Sequence, residues 1–173
     1  MLKLNPLIVI ITTSLILAFA PWIQAKTKDS IELVITIPKI NENPYHKPYI
    51  AIWLEKPDRS YVTTIALWAN DMEWYKDLRQ WWRKAGRSEQ SLDGVTGATK
   101  KPGKYKVNWS GKDANNQIIK PGDYILKIEA SREEGGREFL KTPIAINKQG
   151  NITLKGQHEL GPIQITTTKL TQE

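Results

Sequence analysis

The stretch "LDGVTGATKK", 92–101, gathers two hydroxyl side chains, Thr96 and Thr99, and one carboxylate, Asp93, among residues with almost no side chain. A threonine hydroxyl becomes a point of covalent attachment when another group takes its proton. Gly97 and Ala98 leave no bulk beside the hydroxyls and allow a second macromolecule close to the backbone. Gly94 frees the chain behind Asp93, whose carboxylate can accept hydrogen bonds from the loop's own N–H groups and fix its curve. The same small residues also describe an ordinary turn. The stretch is therefore either a connection or a place where something is attached.

Other chemistry is sparse. There is no cysteine, which excludes disulfides, thiolate nucleophiles and cysteine-held metals. The two histidines, His46 and His158, are far apart and in no ligand spacing, which speaks against a histidine zinc site. His46 lies in a loop between two prolines and reads as a surface residue; Glu133 and Glu134 read as turn charges. No Ser–His–Asp order and no phosphate-binding glycine loop before a helix occurs, so no catalytic residues are assigned.

The loop must be positioned by what flanks it. Upstream, "NDMEWYKDLRQWWRKAGR" places Trp74, Leu78, Trp81 and Trp82 at i, i+4, i+7 and i+8, one face of a helix expected over 70–86. Asn70 or Asp71 can cap its start, and Gly86 follows the last periodic residue. Arg79, Arg83 and Lys84 fall in the later turns, where the helix dipole favours cations. Adjacent tryptophans cannot both point inward, so Trp82 is expected to be less buried than Trp81.

On both sides of this block the pattern has period two. Strands are expected at 30–40, 49–58, 61–70, 104–111, 123–133, 137–146, 150–156 and 161–170, separated by turn-rich links such as "NENPYHKP" and "KPDRS". The short links after the first and second strands suggest antiparallel neighbours. Ile50, Ile52 and Leu54 fall on one face of the second strand, with Tyr49, Ala51 and Trp53 on the other. Seven or eight short strands of this kind indicate an all-β protein, an antiparallel sandwich with one inserted amphipathic helix and an exposed, irregular loop over 88–103.

The first residues, "MLKLNPLIVIITTSLILAFAPWIQAK", carry one basic residue, an apolar run and a small terminal residue, the pattern of a secretory signal peptide cleaved after Ala25. An uncleaved N-terminal anchor is the other reading. Residues 26–173 would then form a single extracytoplasmic domain with no membrane span. The net charge is +7, one less once Lys3 departs, with clusters at 79–87, 100–106 and 26–28. Export argues against nucleic acid as the partner of this charge, and most of it reads as a solvated surface.

Three resemblances add to these readings. "VNWSGKDANNQIIKPGDYILKIEASRE", 107–133, resembles the immunoglobulin-like domain of flagellar hook-capping proteins, through Trp109, Gly111, Asp113, Pro121, Gly122 and Tyr124. That resemblance implies an immunoglobulin-like sandwich, with Trp109 between the sheets. Across nearly the whole mature chain, "PYHKPYIAIWLE", "TIALWAN", "WYKDLRQWWRKAGR", "LDGVTGAT" and "PGDYILKIEASREEGGRE" look like the predicted periplasmic proteins of domain of unknown function 2271. Such proteins tend to accompany membrane flavin-reductase-like proteins and flavin transferases.

Third, "DGVTGAT" resembles the acceptor signature of the bacterial flavin transferase at every fixed position: Asp93, Thr96, Gly97, Ala98 and Thr99. The resemblance implies FMN esterified through its phosphate to Thr99. Arg79, Arg83, Arg87, Lys100 and Lys101 would then stand near the phosphate, and Trp81 or Trp82 could stack on the isoalloxazine ring. Two functions remain open. One is an exported flavin-carrying redox module working with a membrane flavin-reductase-like partner. The other is a cofactor-free binding or assembly module that docks on a membrane reductase or metal-uptake component.

Overall fold

The computed structural model describes residues 30–87, 92 and 94–169. The proposed signal peptide, and Asp93 of the acceptor-like stretch, lie outside the described residues. Among the described residues nine strands form two sheets: β1 (Ile31–Ile37), β2 (Tyr49–Glu55), β3 (Tyr61–Trp68), β4 (Thr96–Gly97), β5 (Gly103–Trp109), β6 (Gly122–Ser131), β7 (Arg137–Ile146), β8 (Gly150–Leu154) and β9 (Ile163–Thr167). One sheet has the order β5-β1-β9-β8, the other β4-β3-β2-β6-β7. Every pairing is antiparallel except that of β4, which adds to β3 in parallel. The all-β sandwich is thus the architecture that the period-two patterning demands.

The short first link does not make neighbours of β1 and β2. They lie in different sheets, so residues 38–48 cross from one layer to the other. The reason is a conflict of partners: β1 is already hydrogen-bonded on one side to β5 and on the other to β9. The second link does join antiparallel neighbours, β2 and β3.

β2 is buried on both faces. Ile50, Ile52 and Leu54 meet Ile31, Leu33 and Ile35 of β1 and Leu126 and Ile128 of β6 in the core between the sheets. Tyr49, Ala51 and Trp53 face outward into a second apolar layer with Leu67, Tyr75, Leu78, Trp81 and Ala85. The helical segment over 72–86 covers that face, so the molecule has three layers where its helix lies. Trp109 and Tyr124 take core positions, and each ties its polar tip locally: Trp109 Nε1 donates to the Lys112 carbonyl and Tyr124 Oη to that of Lys120.

The helical segment is not the regular helix of about four turns that the spacing suggests. It is a 3-10 turn at Met72–Asp77, an α-helical turn at Arg79–Trp81 and a π-helical turn at Trp82–Gly86. The break is at Leu78, with φ −80° and ψ 67°. A tertiary carboxylate explains the restart after it. Glu129, fully buried on β6, accepts from the backbone N–H of Gln80 and of Trp81, each at 2.9 Å, and from Arg137 at 3.1 Å. The helix is therefore capped from the sheet rather than by a preceding side chain. Neither Asn70 nor Asp71 performs the expected cap. Gly86 belongs to the π turn, where a Cβ would fall 2.1 Å from the Trp82 ring.

The other enclosed carboxylates are also met by their own fold. Glu55 accepts from Trp53 Nε1 at 2.9 Å and Lys127 Nζ at 2.5 Å. Glu138 accepts from the backbone N–H groups of residues 157–160. Glu159 pairs with Arg132. These groups hold loops and sheets together, and among the described residues each buried carboxylate has a partner.

Candidate functional site

The acceptor-like stretch is more ordered than an irregular loop. Leu67 N–H donates to the Val95 carbonyl at 2.8 Å and Ala69 N–H to the Gly97 carbonyl at 2.9 Å, which makes Thr96–Gly97 the edge strand β4. This pairing carries the chain past the end of β3 and brings Thr99 opposite Asn70. Asn70 Oδ1 accepts from both the backbone N–H and the Oγ1 hydroxyl of Thr99, each at 3.2 Å. Thr99 is consequently only 8% exposed, against the expected exposed position. It lies outside any strand, and its side chain opens on a cavity of about 210 Å³.

That cavity is shared by four parts of the fold. Tyr45, His46 and Lys47 come from the crossing segment, Tyr49 from the start of β2, Asn70 from the end of β3, and Glu133 from the turn after β6. His46 Nδ1 lies 3.3 Å from Glu133 Oε2. Tyr49 stacks on Trp74, with ring centroids 5.7 Å apart. Burial pushes the Tyr45 phenol up, partly countered by the Arg132 guanidinium. The Tyr49 phenol is pushed up to about 12, first by burial and then by the carboxylates around it, Glu133 foremost. Thr99 Oγ1 bonds to Asn70 and His46 Nε2 has no partner, so the pair does not form the hydrogen-bonded nucleophile and base of a hydrolase.

The remaining residues of the stretch alternate in exposure. Thr96 and Ala98 are exposed and Gly97 is half-buried. The fold itself does not require glycine at 97: a Cβ there would meet only Trp68, at an ordinary 3.6 Å. Gly94 differs, with φ +79°, a conformation that side chains disfavour. Lys100 Nζ stands 5.7 Å from the centre of the Trp68 ring.

Trp82 and Arg83 are placed with one another but not with Thr99. They line a groove of about 390 Å³ with Lys76, Arg79, Arg87 and Arg137. Arg83 also lines a wider groove of about 750 Å³ with Lys56, Lys84, Lys127 and Lys141. Trp81 is fully buried, and its Nε1 donates to Thr64 Oγ1 at 2.9 Å, which removes it as a surface for stacking. The aromatic rings beside the Thr99 cavity are Tyr45, Tyr49 and, through Tyr49, Trp74.

Of the seven residues lining the cavity, the sequence singles out only Thr99 as a site residue. Asn70 reads as a helix cap, Tyr45 as part of a turn, His46 as a surface residue and Glu133 as a turn charge. A polar and aromatic cluster in the proline-flanked "NPYHKP" was the one available signal. Nothing in spacing links His46 to Glu133 across the chain.

Among the described residues, no group of three or more histidine, aspartate or glutamate side chains is arranged to hold a metal ion. Among them also, no helix is long and apolar enough to cross a membrane. No curated protein and no solved structure matches the sequence. One family model, described as predicted periplasmic protein (DUF2271), matches residues 30–162, from the residue before β1 to the residue before β9. This span includes the acceptor-like stretch and all seven residues that line the Thr99 cavity. The chain belongs to the DUF2271 family of predicted periplasmic proteins.

Proposed function

We propose that this protein is an exported carrier of FMN, attached through a phosphoester to Thr99 by a flavin transferase. The reading rests on one observation: the last hydroxyl of "DGVTGAT" is held by Asn70 in a polar surface cavity. The attachment reaction balances without a redox step. The Thr99 oxygen forms a bond to the FMN-side phosphorus of FAD, the bond from that phosphorus to the AMP oxygen breaks, and the Thr99 proton passes to a base of the transferase. Bound FMN would supply one- and two-electron chemistry.

The residues present fit the phosphate end of FMN better than its ring. At about 210 Å³ the cavity is smaller than the ~300 Å³ at which sites for whole organic ligands begin. A phosphate and the first atoms of the ribityl chain are suited to it, while the isoalloxazine must lie outside, on the side of Tyr49 and Trp74 or against a partner. Gly97 and Ala98 give the transferase access to the backbone beside the hydroxyl. Electrons would come from a membrane flavin-reductase-like protein.

The experiment is co-expression with a flavin transferase, read by in-gel flavin fluorescence and intact mass. Wild type gains the mass of one attached FMN, Thr99→Ala gains none, and Thr96→Ala is labelled fully or weakly. Equal labelling of wild type and Thr99→Ala overturns the assignment.

A second reading has its own observation. Lys76, Arg79, Arg83, Arg87 and Arg137 surround one groove, which shares Gln80 and Arg83 with the neighbouring lysine-lined groove. Such a continuous basic face suits a docking module that recognises an acidic surface of a membrane reductase or metal-uptake component. Failure of wild type to take FMN in the co-expression experiment favours this reading.

A further inference from the structure

The groove of about 750 Å³ is lined by three parts of the fold: the turn after β2, the helical segment, and the paired strands β6 and β7. It shares no lining residue with the Thr99 cavity. Lys84 Nζ, from the π turn, donates to the Arg59 carbonyl at 2.7 Å and so ties the helical segment to the turn after β2. Across from them Phe139 of β7 is half-buried, with its ring 5.9 Å from that of Trp53. The groove is therefore built on the second apolar layer and not on a mobile edge.

Its charge is one-sided. Six cations line it, Lys56, Arg59, Arg83, Lys84, Lys127 and Lys141, against the single carboxylate of Glu55. Glu55 is 1% exposed and already accepts from Lys127 Nζ at 2.5 Å and Trp53 Nε1 at 2.9 Å, so its charge is met inside the protein. Lys141 stands directly across from Lys127 in the β6–β7 register, where like charges destabilise a sheet. Among the described residues Lys56, Arg59, Arg83 and Lys141 form no ion pair, and all four are exposed. Asp58, in the same turn as Lys56, does not line the groove and accepts from the Ser60 N–H at 2.8 Å. The fold gains nothing from holding these cations together; an anion bound among them does.

The rest of the lining asks for more than charge. Pro57, Ile125, Phe139 and Pro143 place apolar surface among the cations. Lys127 Nζ lies 5.9 Å from the centre of the Phe139 ring, and guanidinium and ammonium groups are attracted to the faces of aromatic rings. At about 750 Å³ the groove falls within the ~300–1,000 Å³ of sites for whole organic ligands, and it exceeds what an inorganic anion fills. We propose that this groove binds a small aromatic polyanion, a ring system bearing two or more phosphate, carboxylate or sulfonate groups. The ring takes the apolar surface around Phe139, and Lys56, Arg59, Arg83 and Lys141 take the negative groups. The proposal does not rest on flavin attachment at Thr99. It also differs from the docking reading, which treats both grooves as one face for an acidic protein surface.

The probe is pyrenetetrasulfonate, a fluorescent aromatic polyanion, titrated with the unmodified protein and followed by anisotropy. Ionic strength is held at about 0.15 M, where charges more than about 8 Å apart are largely screened. Saturable binding of one probe per chain is expected. Tripolyphosphate, which carries comparable charge and no ring, is expected to compete about tenfold more weakly. Lys56→Gln and Lys141→Gln, at exposed positions that leave the fold intact, are each expected to weaken the probe about fivefold. Arg79→Gln and Arg87→Gln, in the neighbouring groove, are expected to change it by less than about twofold. Phe139→Leu is expected to weaken the probe and leave tripolyphosphate unchanged, a difference that general unfolding would not produce. Absence of saturable probe binding overturns the proposal. So does tripolyphosphate binding as tightly as the probe, which would make the groove a plain anion surface. Equal weakening by all four charge variants overturns it as well, and leaves the broad basic face of the docking reading in its place.

Discussion

Asn70→Ala is expected to accelerate flavin attachment. Thr99 is 8% exposed, so its hydroxyl cannot enter a transferase active site until the segment opens locally. Opening breaks two bonds to one acceptor, Thr99 N–H and Thr99 Oγ1–H to Asn70 Oδ1. At about 1 kcal/mol net for each, removing the amide lowers the free energy of opening by about 2 kcal/mol. A shift of that size raises the opened population roughly 30-fold. With limiting transferase, labelling in the variant should rise by the same order. The assay is a time course of flavin fluorescence at fixed enzyme, with hydrogen exchange at the Thr99 amide as an independent gauge of opening. The reasoning is refuted if exchange speeds up while labelling slows or stays unchanged. In that case the closed arrangement is the reactive one, and Asn70 aims the hydroxyl rather than restraining it.

The remaining predictions separate fold from function. Gly97→Ala should leave the denaturation midpoint within about 0.5 kcal/mol of wild type, because a Cβ there meets only Trp68 at 3.6 Å, yet it should reduce labelling by crowding the approach to Thr99. Glu129→Gln should destabilise by about 2–3 kcal/mol, because three charge-assisted bonds become neutral or are lost; a shift of the urea midpoint at unchanged slope measures this. The Tyr49 phenol titrates at about 12 in the folded chain and at about 10 when unfolded. Its contribution is therefore fully present below pH 10 and is lost as pH rises from about 10 to about 12. Tyr49→Phe should flatten that alkaline loss in a series of melts.

How far the sequence discloses the molecule depends on which forces act locally. β7 is found over the expected residues because its alternation and its bounding turns are local. β2 also alternates, but the two faces enter two different apolar layers, so both sets of residues are buried and neither is a solvent face. The 3.6-residue spacing identifies Leu78 and Trp81 as buried, which they are. It cannot foresee the break at Leu78, because the carboxylate that restarts the helix, Glu129, is supplied by β6. β4 has two residues and therefore no period to detect. The Thr99 hydroxyl could be singled out from its neighbours in sequence. Its surroundings could not, because Tyr45, His46, Asn70 and Glu133 meet only after the crossing segment, the end of β3 and the turn after β6 have converged.

The position of β1 between β5 and β9 sets a timetable for the chain. A polypeptide that enters its compartment N-terminus first delivers Ile31–Ile37 before either partner strand exists. Pairings between such distant segments make folding slow, and "IELVITI" is meanwhile an uncovered, β-branched window of the kind that self-associates. The first side is closed by β5 and the second only by β9, which also holds β8 in its sheet. The span matched by the family stops at residue 162, one residue before β9 begins. A fragment trimmed to that span would leave β1 with one naked edge and β8 with no strand to pair with, so any usable expression boundary must run beyond Thr167.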